Sequence, residues 1–381
     1  MNADMKNYVF TEIDGRANEQ AKVRVVVWVG LSDKKCLEKL RGLDACELVE
    51  GGLVFRRYPV KGLKKFRQIN PPSIFRSSAL LSHLYALMVT APWCLRFRPH
   101  VCIGISLMPH SVMAKLGQAV CRSKFVTWFI GTDVYVELAQ KWWGKLLRKP
   151  MANASCTLTM GSCSNKMLAS MGWPQERLLV GRNDYDFSEY KETGAENEWN
   201  VIYTGRLDRT HKRLSLLLYA LTEVKKSYPA IRCAIVGEGP DRKRLEEMCR
   251  SLGLHSNVYF LGHRHDIPAL LNRSRIIVMT SAWEGLPSSI VEAFALGLPV
   301  VSSNVGDISD VVDSGDNGFL VNSNNPSAYS EAILRILDHP ELYSEMSKSA
   351  KQTGQRIRRA IERGESAMRW RQAIEKTLSD D

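Results

Sequence analysis

From residue 200 onward one pattern repeats: a short apolar run, a turn rich in glycine or polar residues, then apolar positions at helical spacing. Apolar runs at 201–203, 232–236, 258–261, 275–280, 300–303 and 318–321 predict strands, and the spacing at 214–228 and 242–252 predicts helices between them. Strands alternating with helices of this size build βαβ units and a parallel, doubly wound sheet. The first half repeats the pattern less regularly. Residues 22–29, 101–105 and 125–129 predict strands, and 8–13 predicts another that leaves little or no helix before residue 22. The fold class is therefore α/β with two Rossmann-like domains. The expected division is 1–192, 193–355 and a helical segment 356–381 that returns to the first domain. The polar stretch ETGAENEWN at 192–200 reads as the linker between domains.

Composition narrows the class. At 381 residues, with 45% hydrophobic and 24% charged residues, the chain suits two soluble globular domains. The start of the chain, polar and mixed, does not read as a secretory signal. The apolar run at 79–95 is broken by Ser82, His83, Thr90 and Pro92, too short and interrupted for a spanning helix. Nine cysteines without paired spacing read as reduced, mostly buried thiols. His263 and His265 alone make no metal site, so no metal and no cofactor are expected.

Charge separates the halves. Residues 1–192 hold 28 Lys and Arg against 16 Asp and Glu, whereas 193–381 hold 24 of each. The whole surplus lies in the first half, as for a domain facing an anionic partner. There, 55–76 interleaves basic and aromatic residues, and KWWGKLLRK at 141–149 repeats the mixture. Such segments suit an anionic membrane surface.

Three loops at predicted strand ends carry candidate chemistry, where open α/β sheets bind ligands. Thr204-Gly205-Arg206-Leu207, followed by Lys212, offers a close backbone approach, a guanidinium fork and a point charge suited to a diphosphate. Gly237-Glu238-Gly239-Pro240 opens a helix but lacks the third glycine of a dinucleotide fingerprint, so by itself it reads better as a tight strand-to-helix turn. The third loop is SAWEGLPSSIVEAFALGLPVV at 281–301. Ser289 and Glu292 fit a capping box, which accounts for Glu292 but not for Glu284 upstream. Gly285, Leu286, Pro287 and Ser288 lead into a helix N-terminus, whose free N–H groups attract phosphate.

From about 201 to 321 the segments YTGRLDRTHK, IVGEGPDRKRLEEMCRSLGL, VYFLGH, SAWEGLPSSIVEAFALGLPVVSS and VGDISDVVDSGDNGFLV resemble the family-4 retaining glycosyltransferases of the GT-B fold. The resemblance implies two Rossmann-like domains facing each other across a cleft. It makes Arg206 and Lys212 contacts to the donor diphosphate, Glu284 the contact to the transferred sugar and Glu292 the contact to the nucleotide ribose. Gly205, Gly237, Gly239, Gly285, Leu286, Pro287 and Ser288 would line the donor site, with Gly262 and His263 near the base. In the first half, Gly131, Thr132 and Asp133 of GTDVY are similar to the family's loop on the acceptor side, and GRNDYDFSEY resembles its Asn-x-x-Asp segment at Asn183 and Asp186. Ile130 stands where many relatives carry histidine, and the glycine-rich loop after the family's first strand is not evident. His110 is a further catalytic candidate.

The resemblance implies metal-independent, retaining transfer of a hexose-type sugar from a UDP- or GDP-sugar, itself substrate rather than cofactor. The leaving diphosphate helps to deprotonate the acceptor. The basic half points to a glycan or lipid-linked acceptor in cell-surface polysaccharide or lipopolysaccharide biosynthesis, met by a peripheral enzyme on the inner face of the cell membrane. Two other enzyme classes stay open, a nucleotide-sugar epimerase of the same fold and a glucosyltransferase acting on nucleic acid. A non-enzymatic nucleotide-sugar sensor is a further alternative.

Overall fold

The computed structural model describes residues 98–183 and 185–365, backbone strands within 8–69, and isolated helical positions from 88 to 96 and from 368 to 377. The chain divides into two compact units, 1–183 with 364–381, and 184–363. The basic–aromatic run at 55–76 and the apolar run at 79–95 lie almost wholly outside the described residues.

Unit 1 holds a seven-stranded sheet in the order β5-β1-β2-β6-β7-β8-β9. Its strands are β1 (Tyr8–Asn18), β2 (Ala21–Gly30), β5 (Phe66–Ile69), β6 (Val101–Ile105), β7 (Lys124–Trp128), β8 (Cys156–Thr159) and β9 (Leu178–Val180), with a separate hairpin of β3 (Cys46–Val49) and β4 (Gly52–Phe55). From β2 to β9 the pairing is parallel, while β1 runs antiparallel to β2 and β5. The two residues between β1 and β2 explain the reversal, since a link that short joins only antiparallel strands. The helix missing before residue 22 is thus a hairpin. Strands β8 and β9 went unread in the sequence. The crossovers carry α1 (Val112–Cys121), α2 (Trp142–Ala152) and α3 (Ser162–Ser170), with π-helical turns at Leu107–Ser111 and Asp133–Leu138. Cys102, Phe125, Phe129, Val134, Leu138 and Leu168 lie buried together in its core.

Unit 2 is a six-stranded, all-parallel sheet in the order β12-β11-β10-β13-β14-β15. The strands are β10 (Trp199–Thr204), β11 (Cys233–Val236), β12 (Val258–Gly262), β13 (Ser274–Met279), β14 (Val300–Ser303) and β15 (Gly318–Val321). Connecting them are α4 (Leu214–Ser227), α5 (Arg242–Ser251), α6 (Ile267–Asn272) and α7 (Ser288–Ala295), followed by α8 (Pro326–Leu337) and α9 (Pro340–Glu362). Leu214, Leu217, Leu218, Leu221 and Val224 of α4 recur at helical spacing and are buried, each such side chain contributing about 2 kcal/mol by leaving water. Sheet order reverses between β10 and β13, so their C-terminal ends flank the crevice where open sheets bind ligands.

Two expectations are corrected. The C-terminal helix does not begin at 356: α9 starts at Pro340 and ends at Glu362, where Gly364 at φ +70° interrupts it. Nor do Ser289 and Glu292 form a capping box. The N-cap of α7 is Pro287 and makes no side-chain cap bond. Ser289 Oγ instead donates to Met279 Sδ at 3.2 Å, and Glu292 is engaged elsewhere.

Candidate functional site

The loop after β10 is fastened at both ends. Gly205 N donates to Val236 O at 2.9 Å and Leu207 N to Glu238 O at 2.9 Å, which stitches it to the loop after β11. Gly237 N donates in turn to Gly262 O at 2.8 Å, drawing in the end of β12. Gly237 must be glycine twice over: φ is +134°, and a Cβ would lie 1.9 Å from Gly205 O. Gly239 is pressed equally against the Leu207 backbone. Beyond making a tight turn, these glycines let the loops after β10 and β11 share one backbone layer.

At the other end, Asp208 Oδ1 accepts N–H bonds from Thr210 and His211, each at 2.9 Å, and these bonds hold its carboxyl below the usual range. Arg213 takes a left-handed φ of +49° and enters α4. Its guanidinium donates to Thr280 O (2.9 Å), Ser281 O (2.8 Å) and Asn324 Oδ1 (2.6 Å), while Thr280 Oγ1 donates back to Lys212 O at 3.0 Å. Those bonds override the strain of a non-glycine residue at positive φ. They turn the adjacent Lys212 the other way.

Lys212 Nζ meets Glu284 Oε1 at 2.5 Å. This pair spans the crevice between β10 and β13, with side-chain exposures of 15% and 9%. The Glu284 loop is braced from three directions. Ala282 N donates to His211 O at 2.7 Å, Asp307 N donates to Gly285 O at 3.1 Å, and a Cβ on Gly306 would lie 2.0 Å from Glu284 O. The imidazole of His211 stacks on Trp283, with centroids 4.9 Å apart and 5° between planes. Its Nε2 lies 2.8 Å from Trp283 O and 3.6 Å from Glu284 Oε1. A carbonyl only accepts, so Nε2 carries the hydrogen. Burial lowers the His211 pKa, only partly offset by Glu284.

Arg206 is exposed on the same loop, its carbonyl accepting from the buried Tyr203 hydroxyl at 2.8 Å. Glu292 sits on the second turn of α7 and accepts a hydrogen bond from the Tyr190 hydroxyl, whose pKa is raised by burial and then by this carboxylate. Tyr190 is held in turn by Arg358, which donates to its carbonyl at 3.2 Å and lies over the Phe187 ring. Leu286 and Pro287 are buried, Gly285 is half-buried and Ser288 is exposed at the N-terminus of α7. His263 is exposed beyond Gly262, its ring edge-on to His265.

In unit 1 the resembling residues divide. Asp133 is buried, and its carboxylate accepts the N–H groups of Ile130 (2.8 Å) and Leu107. It ties the loop after β6 to the loop after β7. Thr132 is exposed beside the buried Gly131. His110 is buried in the π-turn after β6, with Nδ1 3.0 Å from Ser106 Oγ. Asn183 is half-buried, and Asp186 Oδ1 accepts the N–H of Ser188 at 3.0 Å. Among the described residues no cluster of three or more His, Cys, Asp or Glu is arranged to hold a metal ion.

Unit 2 therefore gathers Arg206, Lys212, Glu284 and the start of α7 around one crevice, and adds His211, Arg213, Tyr190 and Gly306. The fold is GT-B, two Rossmann-like α/β units. Residues 186–353 match the family model described as glycosyl transferases group 1, which supports a place for the chain among the GT-B glycosyltransferases. The chain is 27% identical over 258 residues to a putative colanic acid biosynthesis glycosyltransferase, WcaL, of Salmonella typhimurium, covering 64% of this chain and 63% of that one. It is 34% identical over 118 residues to the UDP-Gal:alpha-D-GlcNAc-diphosphoundecaprenol alpha-1,3-galactosyltransferase of Escherichia coli, covering 31% and 30% of the two. The chain spans about 40% to 63% of the length of the curated relatives first matched. Among solved structures, Anabaena Alr3699/HepE in complex with UDP and glucose is similar at a TM-score of 0.63 and 21% identity, covering 78% of this chain and 83% of that one.

Proposed function

We propose that this protein transfers a hexose-type sugar from a UDP- or GDP-sugar to a glycan or lipid-linked acceptor, with retention of configuration, in cell-surface polysaccharide or lipopolysaccharide biosynthesis. The observation that carries it is the Lys212–Glu284 pair astride the β10–β13 crevice, with Arg206 exposed beside it. A cation and a carboxylate at that point suit a ligand with a diphosphate at one end and hydroxyls at the other. Donor entry exchanges the internal pair: Lys212 turns to the diphosphate and Glu284 to the sugar hydroxyls. Arg206 and the N–H groups opening α7 add positive potential where charge develops on the leaving diphosphate, so the metal-free charge balance resides in the protein. Glu292, oriented by Tyr190, accepts from the ribose hydroxyls. Gly262 and His263 lie on the base side.

UDP and glucose in HepE, and the diphosphoundecaprenol named for the galactosyltransferase, support this reading of donor and acceptor. On the acceptor side, the exposed Thr132 meets the incoming hydroxyl, since Asp133 is occupied by backbone N–H groups. His110, hydrogen-bonded to Ser106, is the catalytic proton carrier in this scheme. The acceptor is met at the inner face of the cell membrane. Arg206→Ala tests the proposal: release of nucleoside diphosphate from UDP- or GDP-hexoses with membrane lipid extract is expected to fall about 10²–10³-fold. Near-normal release by the folded variant would overturn it.

A further inference from the structure

Helix α2 leaves one side bare. Trp142 and Leu146 are 75% and 68% exposed, and Lys145 and Lys149 share their stripe at helical spacing. Lys141 extends the stripe at the helix start. The opposite side is fixed inward: a Cβ on Gly144 would lie 1.9 Å from Glu137 O, so the helix is pressed against the π-turn before it. Arg148 also turns in, donating to Leu138 O at 2.8 Å and 3.0 Å and to Ala139 O. The outward lysines and the inward arginine thus divide the work, one set facing solvent and the other capping the turn's carbonyls. Neighbouring α1 adds Leu116 and Val120, 39% and 42% exposed.

Among the described residues the carboxylates beside this helix are Asp133 and Glu137, the latter close enough to Lys141 to feel its charge. Asp133 is buried, and Oε2 of Glu137 is out of solvent. A tryptophan and a leucine standing out from a ring of lysines match a bilayer surface, where aromatic rings settle at headgroup level and lysines meet lipid phosphates. Duplex DNA would use the lysines and leave the two apolar side chains without a partner.

We propose that the outer face of α2, centred on Trp142 and Leu146 and flanked by the α1 side chains, docks on an anionic lipid bilayer. The proposal names the surface behind the membrane-side acceptor yet rests on no sugar chemistry, so it and the Arg206→Ala result fail independently. Flotation of the full chain with phosphatidylcholine vesicles containing one quarter phosphatidylglycerol tests it. Wild type is expected to float at low salt and to sink with pure phosphatidylcholine. Trp142→Ser/Leu146→Ser is expected to weaken partitioning about tenfold or more by removing inserted apolar area. Lys141→Gln/Lys145→Gln/Lys149→Gln is expected to weaken it about a hundredfold, roughly fivefold per lysine. Tyr219→Ser, which removes an exposed aromatic ring from unit 2, is the control and should float like wild type. Wild-type flotation by either α2 variant overturns the proposal. So does a Trp142→Ser/Leu146→Ser protein that turns from dimer to monomer with unchanged flotation, or duplex DNA bound through the lysines with no vesicle binding.

Discussion

Both units lock the C-terminal edge of a parallel sheet, and they use different chemistry to do it. In unit 2 the loops after β10 and β11 meet backbone to backbone through Gly237 and Gly239, with amide hydrogen bonds between them. In unit 1, besides Gly104 tucked under Ser111 and the Ser106 N–H bond to Trp128 O, side chains join the loop after β6 to β7 and to the loop beyond it. Ser111 Oγ and Thr127 Oγ1 lie 2.5 Å apart, and the Asp133 carboxylate gathers the Ile130 and Leu107 amides. A glycine lock is insensitive to pH and intolerant of any added atom. A carboxylate lock tolerates side chains but titrates. The first leaves unit 2 a backbone floor beside which Arg206, Lys212 and Glu284 supply the charge.

Gly237→Ala presses hardest on this contrast. The added Cβ must displace the Gly205 carbonyl and adopt a disfavoured φ, so a loss of about 4 kcal/mol or more in chemical denaturation is expected. A loss below about 1 kcal/mol would show that the two loops are not locked as described.

Lys212→Met follows. It leaves Glu284, whose side chain is 9% exposed, without its cation, at an expected cost of about 2–4 kcal/mol. Adding Glu284→Gln should restore part of that cost, with a coupling of about 1 kcal/mol or more in the double-mutant cycle. Strict additivity would mean that the pair is not formed in solution.

The smallest effect is the pH dependence of unit 1. Burial raises Asp133 from an ordinary 3.8 to about 7, and burial together with Asp133 raises Glu137 from 4.5 to about 8. Both groups hold protons longer folded than unfolded, so their contribution is greatest below about pH 4 and declines as pH rises to about 7 and 8 respectively. Relative to wild type, Asp133→Asn should therefore gain about 1 kcal/mol or more between pH 5 and pH 8, read as thermal unfolding across that range. A difference that stays constant with pH would place Asp133 in water.

The alternation of 201–203, 232–236 and 300–303 with helical stretches made unit 2 legible, because fully buried parallel strands read as plain apolar runs. Unit 1 was legible at β2, β6 and β7 for the same reason. Its β1–β2 hairpin showed itself only as a helix that had no room to form. Within the site, Arg206, Lys212 and Glu284 were visible as residue types at strand ends. Glu292 was visible as a donor-site candidate, but its hydrogen bond from Tyr190 was not, since the two lie about a hundred residues apart. His211 and Gly306 went unnoticed. A histidine before a lysine carries no local signal, and Gly306 announces itself only within the VGD run quoted above.

By itself the sequence determined which strands could be buried, where glycines permit close backbone approach, and that all the excess positive charge belongs to the first half. Those properties are local or additive, so composition and period express them. The tertiary structure alone decided that Lys212 turns to Glu284 while Arg213 turns to Thr280 and Ser281, that Tyr190 meets Glu292, and that Trp142 and Leu146 face outward while Arg148 turns in. Each of these depends on which backbone donors and acceptors the sheet order leaves unpaired at one place. Neighbours on a helix share a residue type but not a direction, and packing supplies the direction.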